Sequence, residues 1–436
     1  MFSTKNSWLI LALLHESILL YIWSFHLTMC CCCPPAINAL FCLWFQSGCS
    51  KGSVAGALTF FPPDPPLYKF ERYNTNGEPV PDDDDYEEEI TGENGTAAEA
   101  NRSNGRAAMH DQDNDEDIVM GPTGHVVPLE EKRMSRGDDH ETSNENPDNA
   151  STAAQQLVER ARQLRQRAKV RNLRDAKDRA AGITYRVILD SRLLRSASLP
   201  PTLEAIKLPT SSSSGGSHVA VLVYRVTRPN ERTKTIIYSH GNATDIGAMF
   251  PTQSLLVQAL EANVVCFDYS GYGESGGVAE ELNTYSDIRA VYKYCVENIS
   301  PNPKNIVLYG QSVGSGPVCN LAYKNKNLGG IILHSPFTSG MRVLTPSRLL
   351  ACLDIYPNIN RIKYVKCPVM VIHGRRDEEV HFHHGREMYE ATPEQYRREP
   401  WWVSDRGHND ITEGSSKLEE YIRKLRQFLS NLDNDL

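Results

Sequence analysis

The sequence predicts an α/β fold in which a mostly parallel, eight-stranded sheet carries helices on both faces, behind a disordered N-terminal region. Three observations predict it. Short β-rich runs recur after Ile183. Most of the later runs are separated by segments long enough for helices, which is the pattern of a parallel sheet. Residues 70–150, by contrast, show no apolar periodicity. The expected strands are 203–208, 219–226, 235–240, 264–269, 305–309, 330–333, 369–373 and 400–403. Two strands ahead of the βαβα alternation imply an antiparallel start to the sheet.

The 436 residues exceed one small domain and suit one large α/β domain with flanks, or several domains at roughly 100–200 residues each. Lys and Arg number 46 against 54 Asp and Glu, a net charge of −8. That balance argues against a general nucleic-acid binder, whose affinity comes from clustered cations. The acidity is local: residues 78–150 hold 5 basic and 22 acidic side chains, 151–180 hold 9 and 3, and 181–436 hold 28 and 26. Cysteine is uneven as well. Cys30, Cys31, Cys32, Cys33, Cys42 and Cys49 crowd the start, while Cys266, Cys295, Cys319, Cys352 and Cys367 are scattered and read as reduced core thiols.

Residues 8–27 form an apolar run interrupted by His15, Glu16 and His26, long enough to span a bilayer. Met29 offers a start site that would leave residues 1–28 outside the protein, and a transmembrane leader stays open beside it. Residues 29–69 begin with Met29 and four adjacent cysteines and run through apolar sequence to Phe60-Phe61-Pro62-Pro63. Adjacent thiols beside apolar residues suit S-acylation at Cys30, Cys31, Cys32 and Cys33, and several chains together give stable anchoring. Contiguous cysteines lack the paired spacing of a zinc site. Residues 70–150 are an acidic insert that buries too little to offset its ordering entropy. Residues 151–182 are an expected basic amphipathic helix with Leu157, Ala161, Leu164 and Ala168 at helical spacing, read as a solvated helix or a tether neutralised by the acidic insert ahead of a dedicated anionic-lipid contact. The folded domain is expected over 183–436.

The ends of the strands carry the chemistry, as parallel sheets place their sites at carboxyl ends. Strand 305–309 runs into Gly310-Gln311-Ser312-Val313-Gly314, a G-x-S-x-G sequence at a strand-to-helix turn that projects Ser312 above the sheet. A serine hydroxyl needs a base and a group that orients it. Strand 369–373 leads to Asp377 and strand 400–403 to His408, giving the order Ser312, Asp377, His408 expected of α/β hydrolases. His240, His373, His381, His383 and His384 compete as the base, and Asp354 and Asp410 as the acid; order and the Gly407-His408 placement favour His408 and Asp377. Oxyanion donors are expected at the backbone N–H of Val313 and, in the loop after 235–238, of Asn242. The Asp268-Tyr269-Ser270-Gly271-Tyr272-Gly273 motif reads as a tight turn with structural hydroxyls.

His240-Gly241-Asn242-Ala243, the 268–273 motif, the Ser312 elbow, Leu333-His334-Ser335-Pro336, Val371-Ile372-His373-Gly374 and Gly407-His408-Asn409-Asp410-Ile411 occur in order. Together they resemble the α/β-hydrolase-domain-containing protein 17 family over residues 200–436, and the cysteine cluster with Phe60-Phe61-Pro62-Pro63 is similar to its acylated N-terminus. The resemblance implies a lipid-anchored serine hydrolase that removes palmitate from protein cysteines. Ser312 would be nucleophile, His408 base and Asp377 orienting acid. It implies S-palmitoylated membrane proteins as partners, the cytosolic face of plasma and endosomal membranes as location, and no nucleic acid. The acyl-enzyme route requires no cofactor and no metal. A lipase or carboxylesterase is the alternative enzyme, and a catalytically silent scaffold the alternative outside enzymes. The 336–367 stretch is short for a cap and would leave room for a bulky acylated protein. Residues 1–28, the extra sequence between Cys33 and Phe60, the acidic insert, the basic helix and the Arg375-Arg376 pair depart from the family pattern.

Overall fold

A computed structural model of the chain describes residues 59–81, 147–197, 199–212, 215–344 and 354–433. The chain divides into two compact units, Met1–Leu58 with Arg136–Gln163 and Thr59–Ser135 with Leu164–Leu436. In the first, the described part is the backbone helix from Pro147 onward. The leader, all four cysteines of the 30–33 cluster and residues 82–146 of the acidic insert lie outside the described residues.

The second unit is built on one sheet of eleven strands among the described residues. They are β1 (Tyr68–Tyr73), β2 (Pro79–Val80), β3 (Thr184–Leu189), β4 (Thr202–Ser212), β5 (Gly215–Arg225), β6 (Thr235–Ser239), β7 (Asn263–Phe267), β8 (Ile306–Gln311), β9 (Gly330–His334), β10 (Val369–Gly374) and β11 (Trp401–Val403). Their order is β11-β10-β9-β8-β6-β7-β5-β4-β3-β1-β2. Strands β6 to β11 pair in parallel, and β5 joins β7 antiparallel to begin the other wing. All eight expected strands are present within a few residues of their expected ends. The count rises to eleven because β1, β2 and β3 extend the antiparallel start.

The helices are α1 (Pro147–Ala180), α2 (Ser191–Ser196), α3 (Phe250–Leu260), α4 (Glu281–Asn298), α5 (Ser315–Lys324), α6 (Gly340–Leu344), α7 (Asn358–Ile362), α8 (His383–Ala391) and α9 (Ser415–Asn431). Strands β6, β7 and β9 are buried at every residue, which is why they read as unbroken apolar runs rather than alternations. Alternate residues face opposite sides. Ile236, Val264, Val307, Ile332 and Met370 join a core with Leu256 and Val257 of α3 and Leu425, Phe428 and Leu429 of α9. Helices α4 and α5 cover the strands from the other side. Cys266, Cys295, Cys319 and Cys367 are free, buried thiols, and burial pushes Cys319 and Cys367 up to about 12.

Two expectations about the N-terminal side need correction. Residues 70–150 do not begin as disordered chain: β1 straddles position 70 with Tyr68, Phe70 and Arg72 turned inward and Lys69 and Glu71 outward. Only three inward positions carry that alternation, one of them Arg, and the acidic run behind it masks so short a signal. The basic helix is also more than a solvated tether from Ala168 onward, and the folded unit therefore starts well before 183. Its packed face is polar, with Asp175 and Asp178 each 1% exposed. Asp178 takes Arg72 in a bidentate pair, and Asp175 accepts from Lys207 at 2.8 Å. Arg171 donates to the carbonyls of Gly273 and Ser275 at 2.6 and 2.8 Å. A search for an apolar stripe does not see a face made of ion pairs.

Candidate active site

The chain reverses its direction of strand addition at β6, which has β7 on one side and β8 on the other. Crevices at such switch points are where open α/β sheets bind ligands. The register sets Ser239 opposite Gly310, so the loops leaving β6 and β8 emerge side by side.

Ser312 follows β8 with φ +49°, the left-handed region that a non-glycine residue occupies at a cost. The neighbouring glycines make that turn possible. A Cβ on Gly310 would stand 2.6 Å from the Gly314 carbonyl oxygen, and one on Gly314 would stand 2.1 Å from that of Ser239. No side chain fits either gap. A 3-10 turn, Ser312–Gly314, then leads into α5, so Val313 lies among the first N–H groups of a helix start, which have no intrahelical acceptor. Gly241 reaches Ser312 from the other side: its modest 3.9 Å gap from a built Cβ to the Ser312 Cβ puts the Gly241-Asn242 loop against the elbow.

His408 Nε2 lies 3.0 Å from Ser312 Oγ, and its Nδ1 lies 2.7 Å from Asp377 Oδ2. An ionised carboxylate only accepts, so Nδ1 carries the proton and Nε2 is left to accept from the serine hydroxyl. Burial would raise the Asp377 carboxyl, but hydrogen bonds from His373 and His408 and from the Val380 N–H outweigh it and hold the group well below the ordinary carboxylate range. Asp377 is therefore ionised at neutral pH. The loops bearing Asp377 and His408 are drawn together by backbone: Arg375 N–H donates to Val403 and Arg376 N–H to Arg406, and a Cβ on Gly374 would stand 2.2 Å from the Gly407 carbonyl oxygen.

The rivals have other partners. Asp410 accepts from the Gly407 N–H at 2.6 Å and shapes the His408 loop, and Asp354 accepts from Met341 N–H at 2.9 Å. His240 is buried between the Gly241 carbonyl, 2.7 Å from Nδ1, and Asp268, 3.2 Å from Nε2. His384 meets Thr338 Oγ1 at 2.9 Å, and burial lowers it to about 4. His381 and His383 face each other on the surface with their Nδ1 atoms 2.7 Å apart. Arg375 and Arg376 are exposed. The hydroxyls of the 268–273 motif are framework bonds: Tyr269 donates to the His240 carbonyl at 2.6 Å and Ser270 to Asp287 at 2.9 Å.

His373 has a role that sequence reasoning missed. Its Nε2 sits 2.8 Å from the Val380 carbonyl and 3.2 Å from Asp377 Oδ2. Both are acceptors, so that nitrogen holds the proton and gives Asp377 a second imidazole donor. The signal lay in the strand end His373-Gly374, four residues ahead of Asp377. His334, the last residue of β9, bonds Tyr309 through Nδ1 at 2.7 Å. Burial, reinforced by His408 and His373, lowers it to about 3, so it is neutral.

Fold and site define an α/β hydrolase with a serine elbow. Residues 230–353 match a hydrolase family model described as serine aminopeptidase, S33. The chain is 39% identical over 230 residues to mouse alpha/beta hydrolase domain-containing protein 17C, across 52% of this chain and 69% of that one. It is 38% identical over 228 residues to human alpha/beta hydrolase domain-containing protein 17B, across 52% and 76%. An esterase of Pyrococcus furiosus is similar at 21% identity, a TM-score of 0.42 and coverage of 54% of this chain and 99% of that one. The chain belongs to the alpha/beta hydrolase domain-containing protein 17 family.

Proposed function

We propose that this hydrolase cleaves S-palmitoyl thioesters of membrane-associated proteins. The observation that carries the reading is the hydrogen-bonded series Ser312–His408–Asp377 on a strained elbow, in a chain of this family that also bears four adjacent cysteines at positions 30–33.

Ser312 Oγ attacks the thioester carbonyl carbon as its proton passes to His408 Nε2, and Asp377 steadies the imidazolium that forms. The N–H groups of Val313 and Asn242 flank the position where the carbonyl oxygen gains charge. Collapse expels the cysteine thiolate of the substrate, which takes the proton from His408. Water, deprotonated by the same imidazole, then attacks the acyl-serine, and the adduct collapses with cleavage of the Ser312 ester bond, Oγ taking the proton back from His408 as palmitate leaves. Acylation of Cys30, Cys31, Cys32 and Cys33 would hold the enzyme at the cytosolic membrane face, where its substrates reside. Among the described residues no helix is long and apolar enough to cross a membrane.

The test compares a palmitoylated peptide with a monoacylglycerol, each with wild type and Ser312→Ala. Thioester turnover that disappears with Ser312 supports the reading. Activity on the glycerolipid alone would refute it in favour of a lipase.

A further inference from the structure

Beyond the triad, the residues just ahead of β1 make an unusual set of bonds to the oxyanion loop. The Asn242 carboxamide turns its donor and acceptor sides onto this one segment. Oδ1 accepts from the Phe61 N–H at 3.0 Å and from the Tyr272 hydroxyl at 2.7 Å, and Nδ2 donates to the Thr59 carbonyl at 2.7 Å. The Tyr272 hydroxyl in turn accepts from the Phe61 N–H at 3.1 Å. Reversing the amide would set donor against donor, so the polarity fixes one orientation.

Between those bonds Phe60 is 6% exposed and meets Tyr272 and Tyr356 edge to face, each with centroids 6.3 Å apart. Phe61, next in the chain, is 48% exposed. Tyr356 is fully buried at φ +51°, and its ring fills the space above Gly316, where a built Cβ would stand 2.2 Å from it. Gly316 lies in the first turn of α5, three residues after Val313. One aromatic wedge thus braces the supports of both oxyanion donors: the Asn242 loop through Tyr272, and the start of α5 through Tyr356.

We propose that Thr59, Phe60 and Phe61 form a positioning strap that holds the oxyanion loop in its working geometry, so that the stretch ahead of β1 is part of the catalytic support. The inference rests on the reading of Ser312 as nucleophile. These residues touch no reacting atom; they act through the backbone of Asn242 and Val313. Small displacements of such donors cost up to about 10²-fold in rate.

The experiment uses the full-length protein and p-nitrophenyl butyrate, an ester that needs neither a membrane nor a long acyl pocket, with Phe60→Ala, Asn242→Ala and the double variant. Each single variant is expected to lose about 10- to 100-fold in kcat with KM within about threefold, because the loss falls on transition-state stabilisation. The double variant should lose no more than the worse single one, since both substitutions cut one support. Phe60→Leu should recover most of kcat. If Asn242→Ala does not fold, Phe60→Ala and Phe60→Leu carry the test, since neither changes a charge or a hydrogen-bonding group beside the oxyanion loop. Unchanged kcat, losses that multiply, or a rise in KM alone would overturn the strap, and a gain in kcat would mark the segment as an occluding plug instead. Wild-type activity that survives Ser312→Ala would sink the hydrolase reading itself, a result separate from any of these.

Discussion

At the carboxyl ends of β8, β10 and β11, the site loops are set by backbone meeting backbone: Gly310 against Gly314, Gly314 against Ser239, Gly374 against Gly407. Along β1 and β4 the opposite wing of the sheet is set by charged side chains, Arg72 on Asp178 and Lys207 on Asp175, in places almost as dry as the core. The difference separates two uses of polar residues. Where glycines do the positioning, Ser312 and His408 are released from structural duty, while Asp377 also shapes its own loop by accepting from the Glu379 and Val380 N–H groups. Where ion pairs do it, removing one partner strands the other in a poorly solvated place. Substitutions in the two wings should accordingly fail in different observables.

The largest effect is expected at the nucleophile. Ser312→Ala should lower turnover by about 10⁶-fold, the scale seen when a triad loses its serine, and abolish fluorophosphonate labelling. Its thermal unfolding should move little, by less than about 0.5 kcal/mol, since the partner it releases, His408 Nε2, is an acceptor in a part-buried position. A large loss of stability would show that the site wing depends on its polar side chains after all. Next comes Arg72→Met. Leaving Asp178 buried without its guanidinium should cost about 3–5 kcal/mol, read by urea unfolding, with kcat per folded molecule unchanged. A fall in kcat at full folding would join the two wings functionally and erase the distinction.

The same contrast explains what was legible beforehand. Each triad residue sits within a few positions of a strand end, so Gly310-Gln311-Ser312-Val313-Gly314 or Gly407-His408 announces itself in consecutive letters. The parallel strands were visible because β6, β7 and β9 are buried on both faces. The clamp of Arg72 to Asp178 joins positions 106 apart, and Asn242 to Thr59 joins positions 183 apart. No local pattern encodes such pairs. β1 was missed because one of its three inward residues is an arginine, which counts as surface until its partner is known. His373 was weighed as a rival base, and only the fold turns its Nε2 toward Asp377 instead of Ser312.

Two buried carboxylates of the site wing sharpen the comparison by pH. Asp377 is held low by imidazoles, so its contribution to stability is present above its unfolded value and is lost only as pH falls through the folded one. Asp287 has the contrary setting: burial, only partly offset by the N–H and hydroxyl of Ser270, pushes it up to about 7. Raised in the fold above its unfolded value of about 3.9, it leaves the unfolded chain ionised first. Stability relative to Asp287→Asn should fall as pH rises from about 4 to about 7, by up to about 1.4 kcal/mol per pH unit, and level off above. Denaturation midpoints of the two proteins measured across that range decide it. Parallel curves would mean that Asp287 carries no such shift.

The smallest effect is expected where an ion pair lies in water. Arg167 reaches Asp64 at 3.3 Å with the two side chains 68% and 69% exposed, a pair of the same chemical kind as Arg72 with Asp178 but in another medium. Both link α1 to the stretch around β1. Solvent screens the outer pair, and holding two side chains in one geometry offsets much of its attraction. Asp64→Asn should therefore change stability by less than about 0.5 kcal/mol, and that small change should vanish in high salt, whereas the loss in Arg72→Met persists because ions do not enter the buried site. Urea unfolding of both variants at low and high salt makes the measurement. An Asp64→Asn loss as large as that of Arg72→Met would mean that the link between α1 and β1 rests on charge wherever it occurs, and not on the burial that the 7% and 1% exposures of Arg72 and Asp178 record.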